Sequence, residues 1–149
     1  MVPVYDNESK TATLLSSGRS HRPKPYKEFE NGHLSDIVDI AWCPKEPYEN
    51  YLLTAGADRK VIIWNLNDRG PIQELVHKGI VSCAVFNVST QFCIASGCSD
   101  KCIRLWRINT REVIDFYQLS EFITALQFNH TRTRLVVGLT NGELHVFNT

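Results

Sequence analysis

The sequence predicts an all-β fold of about three consecutive four-stranded units. Two observations carry this expectation. From about Pro25 onward, short apolar clusters rich in Val, Ile, Phe and Thr alternate with turn residues, and no stretch keeps a 3.6-residue apolar period over three turns. In addition, two different phrases recur along the chain at nearly the same distance.

The first phrase is a β-rich run closing on an aromatic: Val61 to Trp64, Ile103 to Trp106 and Leu144 to Phe147. The closing aromatics lie 42 and 41 residues apart, and six residues before each stands a turn residue, Asp58, Asp100 or Asn141. The second phrase, Ile37 to Trp42, Val81 to Phe86 and Ile123 to Phe128, starts at intervals of 44 and 42 residues. A period of this size, with four short strands per unit, is the signature of β-propeller blades; ankyrin and tetratricopeptide periods are shorter and helical, and neither pattern is visible.

The strands follow in order. Strand a is expected near 37–42, 81–86 and 123–128, strand b near 51–55, 92–96 and 134–138, and strand c near 61–66, 102–107 and 143–148. Strand d is expected near 72–76 and 113–117, and Pro25 to Glu30 reads as a strand d belonging to a preceding blade. The extra residues Lys45 to Asn50 belong on a surface loop, and Asn141-Gly142 is a hairpin signal. The repeats therefore lie near 32–76, 77–117 and 119–149, within a partial propeller spanning 24–149. Residues 1–23, polar and rich in turn formers, read as a flexible N-terminal segment. Three blades in a row cannot close a ring, so further blades or another copy are expected to complete it.

Bulk properties exclude several classes. Sixteen basic and sixteen acidic residues cancel, leaving no broad attraction for nucleic acid. No apolar run approaches the roughly 18 residues of a membrane span, and Met1 to Leu15 lacks a secretory core. Cys43, Cys83, Cys93, Cys98 and Cys102 read as reduced, packed thiols, and the cytoplasm follows as the default compartment, with peripheral membrane association or the nucleus as alternatives.

Four positions align between the first two repeats: His33, Thr54, Asp58 and Trp64 with His77, Ser96, Asp100 and Trp106. These sets, with the Gly32-His33 pair, resemble the structural tetrad of WD-repeat propellers; the family's Trp-Asp dipeptide has become Trp64-Asn65 and Trp106-Arg107. The resemblance implies a hydrogen-bonded chain joining the loop before strand a to the b–c turn. A buried indole needs an acceptor, and histidine can accept at one nitrogen while donating to aspartate from the other. In the third repeat Leu119, Val137, Asn141 and Phe147 hold the four places, a coherent apolar exchange.

A hydrolase reading of the recurring His, Ser and Asp is disfavoured. The set occurs twice at fixed offsets from a tryptophan, without a Gly-x-Ser-x-Gly elbow. Cys93, Cys98 and Cys102 lack paired zinc-ligand spacing, so neither metal nor cofactor is expected. The alternation around Arg104 and Arg107 reads as strand surface. Arg19, Arg22, Lys24 and Lys27, interleaved with Ser16, Ser17 and Ser20, read as a solvated linker, with a phosphorylatable or anionic-surface contact as the alternative.

Resemblance to the WD-repeat family implies a non-catalytic scaffold binding other proteins through the face formed by d–a and b–c connections. On that face the candidates are Asp36, Ile80 and Phe122 before strand a, and Ala57, Ser99 and Thr140 before the turn residue. Ile80 and Phe122 are equally readable as exposed anchors or as residues buried beneath the loop. More narrowly, Gly32 to Trp42, Glu112 to Phe116 and Phe122 to Ala125 resemble Rab-GTPase-binding WD-repeat proteins of vesicle trafficking. That implies a Rab-type small GTPase or its effectors as partners, although the family's Rab contact lies generally outside the propeller. Asp39 to Pro44 is similar to a phrase of actin-binding coronins, which keeps a cytoskeletal or chromatin adaptor as the rival reading.

Overall fold

Among the described residues eleven strands form, because apolar, β-branched runs of five to seven residues are separated by turn residues that cannot extend them. The computed structural model describes residues 24–30, 32–88 and 92–149; the expected flexible segment 1–23 lies outside the described residues. The strands are β1 (Ile37–Trp42), β2 (Tyr51–Gly56), β3 (Lys60–Asn65), β4 (Pro71–Val76), β5 (Val81–Asn87), β6 (Cys93–Cys98), β7 (Cys102–Arg107), β8 (Glu112–Gln118), β9 (Ile123–Phe128), β10 (Arg134–Leu139) and β11 (Leu144–Asn148). They make three antiparallel sheets in chain order: β1-β2-β3-β4, β5-β6-β7-β8 and the three-stranded β9-β10-β11. Each sheet is one blade, and the rows of blades do not close into a ring.

The three blades share irregularities that a chance repeat would not. Strand a carries one unpaired extra residue at the same place each time: Val38, Ser82 and Thr124. Polar bonds at and near the bulges reach the next blade. Ser82 Oγ donates to the Ile123 carbonyl (2.6 Å), and the Ala84 N–H donates to Asp39 Oδ2 (3.0 Å).

The core lies between the blades. Leu53, Ala55, Val61, Ile63 and Leu75 of blade 1 meet Val81, Ala84, Phe86, Ile94 and Trp106 of blade 2. On its other side blade 2 presents Cys83, Ala95 and Ile103 to Ile123, Leu126, Phe128, Leu135 and Val137 of blade 3. Because it is covered on both faces, β6 is buried throughout and is correspondingly made of small and apolar residues. Gly97 permits the second packing: a Cβ there would lie 2.6 Å from Ile123 Cγ2 and 2.8 Å from Cys83 Sγ. The outer blades leave apolar side chains in water, with Ile40 68% and Trp42 58% exposed on β1.

Two local expectations change. Pro25 to Glu30 forms no strand. A strand d needs a strand c to pair with, and no such strand precedes it among the described residues. The segment instead lies along blade 1, with Lys27 Nζ on the Leu66 and Asp68 carbonyls and the Phe29 ring 4.9 Å from that of Trp64. The insertion at 45–50 is a surface loop that also clamps blade 2. Tyr48 stacks on Phe92 (4.4 Å between centroids), and Lys45 Nζ donates to the Val88 carbonyl (3.1 Å).

Candidate interaction face

The b–c turns are built alike in all three blades. An Asx side chain accepts the N–H two residues on: Asp58 from Lys60 (3.3 Å), Asp100 from Cys102 (3.1 Å) and Asn141 from Glu143 (3.0 Å). The residue after it sits in the left-handed region, with φ 68° for Arg59, 64° for Lys101 and 85° for Gly142. Glycine meets that conformation without penalty, whereas the arginine and lysine each cost about 1 kcal/mol.

In blade 1 the four aligned residues form one chain. The Trp64 indole N–H donates to Thr54 Oγ1 (2.9 Å), the Thr54 hydroxyl donates to His33 Nε2 (2.7 Å), and His33 Nδ1–H donates to Asp58 Oδ1 (2.8 Å). This direction is set at both ends: the indole can only donate, and the acceptor-only Asp58 carboxylate holds the imidazole proton on Nδ1, which leaves Nε2 to accept. The hydroxyl, and not the imidazole, therefore accepts from tryptophan. Burial pushes the Asp58 carboxyl up, but the bonds from the Leu34 N–H, His33 and the Lys60 N–H outweigh it and hold it below the ordinary carboxylate range. Close packing fixes the surroundings: a Cβ on Gly56 would lie 2.4 Å from His33 Nδ1, and one on Gly32 would lie 2.2 Å from the Trp64 ring.

Blade 2 repeats the inner half of this chain and replaces the outer half. Trp106 donates to Ser96 Oγ (2.9 Å), and Ser96 bonds His77 Nε2 (2.7 Å), but His77 Nδ1–H donates to the Leu75 carbonyl (3.1 Å). Asp100 is held by Arg104 through both carboxylate oxygens, at 3.1 and 2.5 Å. Arg104 is therefore not strand surface as its alternation suggested; it stands where blade 1 has the apolar Ile62. Burial lowers the His77 pKa to about 4; the Leu75 carbonyl offsets little of the cost of charging the ring, and the Asp100 charge is countered by that of Arg104. Burial also works to raise Asp100, and the Arg104, Cys98 and Cys102 bonds overcome it, so this carboxyl too titrates low. In blade 3, Val137 is buried, and Leu119 and Phe147 pack onto the same core.

These networks shape the face at one end of the blades. Backbone bonds pair the candidate residues two by two in all three blades: the Ala57 N–H with the Asp36 carbonyl (2.9 Å), Ser99 with Ile80 (2.8 Å) and Thr140 with Phe122 (3.0 Å). Ile80 and Phe122, for which exposure and burial were both open, are 47% and 46% exposed. Sequence reasoning missed the cations of this face. Arg59 and Lys78 are exposed, and Lys101 Nζ sits 5.0 Å over the Phe122 ring while donating to the Ser120 carbonyl (2.6 Å). The signal was present in the basic residue following each turn aspartate.

Both tetrad hydroxyls are buried and committed between an indole and an imidazole. Among the described residues no group of three or more His, Cys, Asp or Glu is arranged to hold a metal ion. The five thiols are buried and unbridged, and burial raises Cys83 to about 11. No helix among the described residues is long and apolar enough to cross a membrane.

Stacked antiparallel blades tied by an indole–hydroxyl–imidazole chain define a β-propeller repeat protein. The family model for the WD domain, G-beta repeat, matches residues 23–65 and 69–107, and the chain belongs to that WD-repeat family. An uncharacterized WD repeat-containing protein of Schizosaccharomyces pombe is 27% identical over 98% of this chain and 26% of its own length. Mouse Jouberin is 32% identical over 54% of this chain and 8% of its length. The WD40 domain of Toxoplasma gondii coronin superposes with a TM-score of 0.72 at 24% identity, covering 78% of this chain and 32% of that domain, a likeness of fold alone. The chain thus spans about a quarter of the fission-yeast relative and less than a tenth of Jouberin.

Proposed function

We propose that this chain serves as a non-catalytic protein–protein interaction scaffold, contacting partners through the face that carries its d–a and b–c loops. WD-repeat membership supports the scaffold role. The observation that carries the choice of face is the threefold pairing of Asp36 with Ala57, Ile80 with Ser99 and Phe122 with Thr140. Backbone bonds of this kind hold the loops rigid, so binding does not have to order them first. Ile80 and Phe122 supply exposed apolar anchors on that frame.

The narrower reading is an adaptor in vesicle trafficking, with a Rab-type small GTPase or its effectors as partners and cytoplasmic residence. It rests on the blade-opening phrases Gly32 to Trp42 and Phe122 to Ala125. The protein immobilised as bait in cytosol, with GTP or GDP analogues present, tests both levels. Expected is retention of partner proteins that falls at least about tenfold for Ile80→Asp and Phe122→Asp, with a small GTPase retained in a nucleotide-dependent manner. Retention indifferent to both substitutions rules out this face. Retention lost on substitution, but without trafficking proteins, removes only the narrower reading.

A further inference from the structure

Within the interaction reading just proposed, on which this inference rests, the face between blades 1 and 2 has a definite chemistry. The His77 N–H donates to the Arg59 carbonyl (2.8 Å), the Ser99 N–H to the Ile80 carbonyl (2.8 Å) and the Leu119 N–H to the Lys101 carbonyl (2.9 Å). These bonds set Arg59, Lys78, Ile80, Ser99, Lys101 and Phe122 in one track along the loops. The carboxylates nearest to the cations are turned inward: Asp58 is taken by His33, Leu34 and Lys60, and Asp100 by Arg104 and Cys102. The side chains of Arg59 and Lys78 meet no carboxylate among the described residues. The d–a loops of blades 1 and 3 carry one acid each, Asp36, whose carbonyl accepts from the Ala57 N–H, and Glu121, next to Phe122.

Arg104 has a part in this. It takes both oxygens of Asp100, while the Lys101 ammonium lies on the Ser120 carbonyl and the Phe122 ring. Blade 3 has glycine at the left-handed turn position where blades 1 and 2 keep Arg59 and Lys101. Two basic side chains thus stand at left-handed turn positions on this face, as Arg111 and Arg132 do elsewhere among the described residues.

We propose that this track binds an acidic peptide segment of a partner protein, its carboxylates on Arg59 and Lys78 and a large apolar residue against Ile80. A nucleic acid fits less well. The one exposed ring of the track, Phe122, already carries the Lys101 ammonium, and the centre of the track is an aliphatic side chain that offers no stacking.

The test is selection of a displayed random peptide library on the protein, followed by titration of one enriched synthetic peptide. Expected are enriched peptides of net negative charge with a large apolar residue. Their affinity should fall at least about tenfold for Lys78→Glu or Arg59→Glu and weaken with added salt. Both substituted side chains are exposed, and unchanged thermal melting shows that the variants are folded. Enriched peptides that are neutral or basic, or acidic ones indifferent to both substitutions, overturn the acidic chemistry. So does a single-stranded oligonucleotide that competes equally with the peptide. If such non-acidic peptides are lost with Ile80→Asp, the interaction face stands and only its chemistry falls. Enrichment indifferent to Ile80→Asp, or no enrichment, overturns both.

Discussion

Replacing Asp58 by alanine is expected to destabilise the protein by about 3 kcal/mol, seen as a lower midpoint of urea unfolding. The carboxylate accepts from three donors at once, the Leu34 N–H (3.0 Å), the Lys60 N–H (3.3 Å) and His33 Nδ1–H (2.8 Å). Each donor left unsatisfied in a buried place costs about 1–3 kcal/mol, and water regains part of that at the exposed Leu34. The alanine also uncouples the loop at Gly32-His33 from the b–c turn, so Trp64 loses the support behind its Thr54 acceptor. Asp58→Asn keeps one acceptor oxygen and is expected to recover part of the loss. An alanine variant as stable as the wild type means that the chain of bonds does not hold this corner.

The second large effect is acid sensitivity from His77. Its pKa is about 4 in the folded protein against an ordinary 6.5, so between these values the unfolded chain binds the extra proton. Stability is therefore full above about pH 6.5 and declines as pH falls toward 4, by about 3 kcal/mol in all. Below that window the low-titrating Asp58 and Asp100 carboxyls begin to protonate and remove their own contributions. Arg104→Ile, which installs the side chain that blade 1 carries at Ile62, releases Asp100 toward the His77 ring. The His77 pKa, followed by NMR, is then expected to rise by about one unit or more, and the acid decline to become shallower. A pKa unmoved by this substitution shows that Arg104 does not keep Asp100 from the histidine.

Much of this architecture was legible because a blade writes itself into sequence twice, in the strand phrases and in their spacing. Strand positions such as Ile37–Trp42 and Ile123–Phe128 followed from apolar runs bounded by turn residues, and the third repeat was readable despite its lost tetrad. What escaped depends on direction and partnership. Whether Asp100 turns to His77 or to Arg104 is decided by side-chain direction, which an alignment of repeats does not carry. Pro25 to Glu30 has strand-like composition, yet a strand exists only where another backbone pairs with it. The reach of Tyr48 to Phe92 joins two blades through a loop that pattern reading treats as inert. The face was legible as a set of loop positions, but its cations were hidden among ordinary surface residues until the turns placed them side by side.

The most direct measurement is backbone hydrogen exchange on the protein alone and with a retained partner bound. Protection upon binding is expected at 57–59, 77–80, 99–101 and 119–122, the d–a and b–c loops, with the outer strand Glu112–Gln118 unchanged. Protection concentrated on that outer strand, with those loops exchanging as before, would contradict the assignment of the interaction face.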